Sequence, residues 1–282
     1  MTTTTRTEND ALIEALENTT APDGLIPGHI YGYKLGDRVE VIDLSDKHLP
    51  QPRRKTGRVA VGDAASFIHY YKKHADPGSE VYVDIDHGRI TAVLNAHEAT
   101  PNVELLDEDN TARWGDHQLI LTLAETDAWK RWTYHDRKLI RQADFADFID
   151  DNRADIRKPT AADMLELVQH FQTQTRVTFN SATVLANGNK RLVFTEETDA
   201  GAGAKGQIEV PGQLELGLTP FDDSEPYVVT ARFRYRIQGG ALQMGYLLDN
   251  ADNVRRDAVK QVVTHLQEEL GVVIMRGTPA AG

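Results

Sequence analysis

No cysteine occurs anywhere in this 282-residue chain. That excludes disulfides, thiolate nucleophiles and cysteine-ligated zinc or iron–sulfur centres. Serine is sparse, and no Gly-x-Ser-x-Gly elbow is present. Long apolar runs are missing as well: each falls far short of the ~18 residues a membrane span needs. The first residues carry no signal-peptide core, so the protein is expected to stay where it is made, with no membrane partner. Cations are outnumbered. Lys and Arg total 31 against 43 Asp and Glu, a formal charge of −12. This disfavours non-specific nucleic-acid binding, which needs Lys and Arg to replace counterions. The ten histidines are scattered, without HExxH, His-x-His or a calcium loop. No cofactor is expected.

What is present is strand alternation. The best-marked segment runs from Tyr227 to Ile237. Val229, Ala231, Phe233, Tyr235 and Ile237 share one parity, and Arg232, Arg234 and Arg236 the other. Side chains alternate along a strand, so the apolar set faces a core while three guanidinium groups line the opposite side. Cross-strand pairing with Glu209, Glu215 or Glu196 is the structural role open to them; contact with a partner or a second subunit is the functional one.

Around this strand, turn signals mark out a β-rich block. Asn187-Gly188 joins Val177-Thr178-Phe179 to Leu192-Val193-Phe194, Ile208–Val210 and Leu214–Leu218 continue the sheet, and Pro211 sits at an edge or bend between them. Gly239-Gly240 reverses the chain into Leu242–Leu248. The tip containing Gly201, Gly203 and Gly206 lacks the spacing of a phosphate loop and reads as a protrusion available to a neighbour. Arg53-Arg54-Lys55 forms a basic loop, either solvated or touching an acidic partner.

Earlier, Leu35-Gly36-Asp37 reads as a hairpin turn and Asp63 as the N-cap of a helix from Ala64 to about His74. Asp86-His87-Gly88 reads as the turn of a second hairpin. Asp84, Asp86 and His87 are the one metal-like constellation, weighed against the tight turn that Asp-His-Gly favours. Trp129 and Trp132 fit core packing on a helix face or a strand-like extension. Thr160 and Asp163 resemble a capping box, followed by Met164, Leu165, Val168 and Phe171 as a core stripe. Asp252 or Asn253 should cap a last helix ended by Gly271, and Val272–Met275 should form a final buried strand. The class is α+β, mainly antiparallel β with several short helices. Three regions are expected: an N-terminal arm with a short helix (1–24), an α+β region (25–143) and a β-rich region with a terminal helix and strand (144–282).

Ile208-Glu209-Val210-Pro211, Leu214 to Phe221, Tyr227 to Ile237 and Leu242 to Leu248 together resemble the YfdQ-like family of uncharacterised phage and prophage proteins. Phe145-Ala146-Asp147-Phe148-Ile149-Asp150 is similar to that family's Phe-x-x-Phe-(Leu/Ile)-Glu element, with Asp150 in place of Glu. The similarity covers about Leu25 to Gly277. It implies a phage-encoded protein in the cytoplasm of a bacterial host or in a virus-derived particle, and it transfers no catalytic residues.

The expected function is therefore non-enzymatic self-assembly into a homo-oligomer, shell-like or capsid-like by analogy with phage coat folds that use a protruding hairpin and a terminal arm. The alternatives are a nucleic-acid-associated accessory factor in phage replication or recombination, and an acidic decoy of a host DNA-binding protein.

Overall fold

The computed structural model describes residues 24–35, 38–44, 49–98, 112–173, 177–196 and 205–280. The expected N-terminal arm and its short helix lie outside them. In chain order, the strands are β1 (Ile30–Leu35), β2 (Arg38–Asp43), β3 (Gly57–Val61), β4 (Glu80–Asp84), β5 (Arg89–Val93), β6 (His117–Thr122), β7 (Ile140–Arg141), β8 (Ile156–Lys158), β9 (Val177–Val184), β10 (Lys190–Glu196), β11 (Lys205–Val210), β12 (Gln213–Leu218), β13 (Tyr227–Gln238), β14 (Ala241–Leu248) and β15 (Ile274–Arg276). The helices are α1 (Ala64–His74), α2 (Asp127–His135), α3 (Gln142–Asp151), α4 (Ala161–Thr173) and α5 (Ala251–Leu270).

The chain divides into two compact units, Met1–Thr56 and Gly57–Gly282. In the first, β1 and β2 pair antiparallel from Ile30↔Asp43 to Leu35↔Arg38. The hairpin is the expected one, although its turn residues 36–37 lie outside the described set.

The second unit holds three sheets. One has the order β15-β4-β5-β6-β3 and is mixed: β3 runs parallel to β6 and β15 parallel to β4, while the central pairs are antiparallel. Helices α1 and α5 supply Phe67, Tyr71, Val262 and Leu266 to its core, against Val81, Ile90, Leu119 and Leu121. Asp63 caps α1 by accepting the Ser66 amide at 2.7 Å, and Lys72, Lys73 and His74 stand in its last turn, where cations oppose the helix dipole favourably.

A second sheet has the order β7-β14-β13-β12-β8, all antiparallel, and a third the order β11-β10-β9. Their apolar residues form one core with α2, α3 and α4: Trp129, Trp132, Phe145, Ile149 and Met164 gather with Leu216, Val229, Phe233, Met244 and Tyr246. The two tryptophans sit on helix α2, three residues apart and fully buried. Trp132 donates from Nε1 to Asp155 at 2.8 Å, and its carbonyl accepts from the Tyr246 hydroxyl at 2.7 Å, so both buried polar ends are satisfied.

Four local expectations are corrected. The stripe of α4 is Met164, Leu167 and Val168; Leu165 is 38% exposed, because the helix turns its Leu167 side inward. The Phe171 side chain lies outside the described set. Helix α5 begins at Ala251, with Asn250 rather than Asp252 or Asn253 at the N-cap. Asn250 takes φ 55°, a left-handed conformation that Asn tolerates, which lets the chain leave β14 and enter the helix through only two residues, Asp249 and Asn250. The last strand is a short edge, Ile274–Arg276, that buries only Ile274; Val273, just before it, is 77% exposed. Finally, Ile208–Val210 and Leu214–Leu218 do not continue one sheet. The chain bends at Pro211-Gly212, so β11 joins the three-stranded sheet and β12 the five-stranded one. The mainly antiparallel α+β class stands.

Candidate functional site

Strand β13 is the centre of the second sheet and alternates as its sequence requires. Val229, Ala231 and Phe233 are buried, Tyr235 and Ile237 half-buried, and Arg232, Arg234 and Arg236 exposed. Gly239 and Gly240 take φ 57° and 79°, the positive values of a two-residue hairpin turn that sends the chain back as β14.

The register decides what the arginines meet. Arg232 lies between Gln213 of β12 and Leu247 of β14, Arg234 opposite Gly245, and Arg236 opposite Gln243. None faces a carboxylate across the sheet. Glu215 is engaged by Lys158 at 3.1 Å, and Glu209 accepts from Asn189 at 2.8 Å and Asn187 at 3.3 Å. The Glu196 side chain lies outside the described set. Arg232 instead bonds Asp249 at 2.6 Å. Among the described residues, Arg234 and Arg236 have no acidic partner.

At one end of this face the three-stranded sheet meets β13 and leaves an open groove of ≈ 800 Å³, lined by Lys190, Arg232, Arg234, Asn187, Asn189 and Val184, among others. Lys190 donates to the Phe233 carbonyl at 3.0 Å. Burial, and then the neighbouring Arg234, pushes its ammonium below the usual lysine range. Three cations thus share one groove, one of them partly desolvated. Val184, 64% exposed, lines the groove, and Val228, 56% exposed, follows the parity of the arginines. Lys190 was not legible as a site residue: it follows an ordinary Asn-Gly turn, and only tertiary packing carries it to β13.

Beyond the Asn187–Asn189 turn, a second groove of ≈ 370 Å³ runs between α4 and β11. It is lined by Asp163, Glu166, Glu209, His170 and the apolar Met164 and Ile208, among others. Asn189 borders both grooves. Asn189 and then Asn187 hold the Glu209 carboxyl below the usual range by donating to it. Glu209 therefore keeps its negative charge at neutral pH.

The other sequence candidates lie elsewhere. Gly201 and Gly203 fall outside the described residues. Gly206 lies in β11 opposite Phe194, whose ring occupies the space a Cβ would take, which gives this glycine a packing role. Arg53 donates to the Gly28 carbonyl, and Arg54 and Lys55 are exposed beside it; all three belong to the first unit. At the β4–β5 turn, His87 Nδ1 shares a hydrogen bond with Asp84 at 2.6 Å, while Asp86 pairs with Arg256 at 2.9 Å. The two carboxylates thus have separate partners. Among the described residues, no three His, Asp or Glu side chains gather as a metal site requires, and no helix is long and apolar enough to cross a membrane.

A family model described as an uncharacterised conserved protein, DUF2303, matches residues 7–279. No curated protein and no solved structure matches.

Proposed function

The chain belongs to the DUF2303 family of uncharacterised conserved proteins, and from that premise we propose that it is a non-enzymatic protein that assembles with copies of itself. One observation carries the reading: a face bearing Arg234 and Arg236 without acidic partners among the described residues adjoins an acidic groove across the Asn187–Asn189 turn. Two complementary patches side by side suit a two-fold interface. The basic groove of each copy meets the acidic groove of the other, and every favourable pair occurs twice. The exposed Val184 and Val228 fit the same role, since interfaces combine arginine with apolar contact. Glu166 and Glu209 are the partner-side carboxylates for Arg234 and Arg236. The resemblance of the β12–β14 segment to phage and prophage proteins supports a phage-encoded origin. A shell-like, capsid-like assembly is the larger form this reading takes.

Native mass spectrometry and light scattering on the full chain test it. The expected result is an oligomer at micromolar concentration that loosens as salt rises, because solvent-exposed charge pairs are screened. Arg234→Glu with Arg236→Glu should shift it towards monomer, and adding Glu166→Arg with Glu209→Arg should restore association. A clean monomer at micromolar concentration overturns the proposal.

The groove shared by Lys190, Arg232 and Arg234 favours one alternative, a single-stranded nucleic acid tracked by its phosphates. The net charge of −12 weighs against it. A salt-dependent mobility shift with single-stranded DNA or RNA by a monomeric protein would favour that alternative.

A further inference from the structure

We infer that the groove between β13 and the Asn187–Asn189 turn is a binding site for a small oligophosphate, a free or esterified chain of two or three phosphoryl groups. Only the effect of such a ligand on assembly rests on the self-association proposed above.

The protein carries a net charge of −12, yet this groove is lined by Lys190, Arg232 and Arg234 and by no carboxylate. Its other polar side chains, Asn187, Asn189 and Gln213, are neutral. Arg232 and Arg234 stand two apart on one strand, so they leave the same face about 7 Å from each other. Lys190 comes from β10 in the other sheet. Three cations from two sheets therefore converge on one space of ≈ 800 Å³. That is room for a chain of phosphoryl groups rather than for a single small ion.

Each cation keeps donors to offer. Arg234 is exposed and has no acidic partner among the described residues. Arg232 gives its Nε to Asp249 at 2.6 Å, and its two terminal nitrogens take no other hydrogen bond among the described residues. Lys190 spends one of its three protons on the Phe233 carbonyl at 3.0 Å. That bond, with the Tyr235 and Phe233 rings 5.3 and 5.8 Å from the ammonium, holds the lysine in place, so it loses little freedom when a ligand binds. Asp249 balances Arg232, but Lys190 and Arg234 stand close enough to repel. Partial burial, and then Arg234, push the lysine ammonium below its usual range. A multivalent anion between them turns that repulsion into attraction, and guanidinium forks match phosphoryl oxygens two at a time. A ligand that occupies Arg234 also withholds it from a partner's carboxylates, so it opposes self-association.

Isothermal titration calorimetry of the full chain with sodium tripolyphosphate tests the site, with circular dichroism to check that each variant folds. Wild type should bind. Arg234→Gln and Lys190→Met should each weaken binding by roughly ten-fold or more, since each loses a charge-assisted hydrogen bond. Arg58→Gln removes the same charge from an exposed position on β3 and should change binding by less than about two-fold. No heat of binding at millimolar ligand overturns the inference. Equal losses in Arg58→Gln and Arg234→Gln overturn it too, because they show attraction by diffuse charge. A nucleoside triphosphate that binds more tightly than tripolyphosphate marks a nucleotide as the source, and equal binding marks the free chain; either supports the site. Binding of a single-stranded oligonucleotide with none of tripolyphosphate overturns it in favour of a nucleic acid. At matched ionic strength, saturating tripolyphosphate should lower the oligomer fraction in sedimentation, and an unchanged fraction overturns the effect on assembly. Protein that binds tripolyphosphate but stays monomeric without it overturns the self-assembly proposal and leaves the site standing.

Discussion

Lys190 donates its ammonium proton to the main-chain carbonyl of Phe233 at 3.0 Å, and this bond closes the edge of β13 where β12 leaves it. The Phe233 amide is taken by Gly212 at 3.0 Å, the last contact before the chain bends into the other sheet. One side chain therefore ties the three-stranded sheet to the arginine strand.

Lys190→Met keeps the stem and removes the donor, so it should destabilise the fold by ~1 kcal/mol at neutral pH, within the usual net worth of a hydrogen bond. The alkaline limb separates the two proteins. Folded Lys190 releases its proton below the ordinary lysine range, so in that window the unfolded chain binds more protons and stability rises with pH. Denaturant titrations between pH 8 and 10.5 should show wild type gaining on the variant. Parallel curves would contradict this account of Lys190.

Tyr246 and Tyr227 act in the opposite sense. Burial lifts the Tyr246 phenol far above its ordinary range, and burial with the Asp257 hydrogen bond lifts Tyr227 to about 12. Both favour the neutral form in the fold, so their contribution is complete below pH ~10 and is lost as pH climbs through the folded values. Ultraviolet titration should find tyrosines that ionise only as the protein unfolds. Tyr246→Phe should remove that component and cost about 1–3 kcal/mol by leaving the buried Trp132 carbonyl unpaired.

Gly212→Ala probes the bend itself. A Cβ at Gly212 would lie 2.1 Å from the Gly188 carbonyl oxygen, a main-chain atom that cannot swing aside. The expected loss is about 1–3 kcal/mol, the usual scale for overpacking. Wild-type assembly with unchanged thermal stability would contradict the close approach of the two turns.

The three arginines should not be equivalent. Arg232 is occupied by Asp249 and its side chain is 58% exposed, so Arg232→Ala should change stability by less than ~1 kcal/mol. Arg234→Ala and Arg236→Ala should each weaken self-association more than Arg232→Ala does. Sedimentation of the single variants at matched concentration ranks them, and equal effects would remove the distinction drawn from Asp249.

Much of the local structure was legible. The alternation of β13, the hairpins at Asn187-Gly188 and Gly239-Gly240, the Asp63 and Thr160 caps and the Gly271 C-cap all follow from residues within a few positions of one another. The metal-like turn was also legible as a turn, because Asp84 accepts the His87 amide and Gly88 takes a positive φ, all within five residues. The stripe of α4 was misread at one member, Leu165 in place of Leu167, because both flank the Met164–Val168 line and periodicity alone does not say to which side the buried face leans.

The sequence by itself determined that a strand would bury Val229, Ala231 and Phe233 and expose Arg232, Arg234 and Arg236, since a period of two leaves no other arrangement once one face is apolar. Only the tertiary structure decided what surrounds that row. Register set Gln213, Gly245 and Gln243, not glutamates, opposite the arginines; the bend at Pro211-Gly212 brought Lys190 beside Arg234; β15 paired with β4, and α5 gave its main apolar face to the first sheet, with only Ala251 and Val254 reaching the arginine-sheet core. These are pairings between residues far apart in the chain. They depend on which packing of all the apolar faces buries the most surface, and no short window of sequence contains that choice.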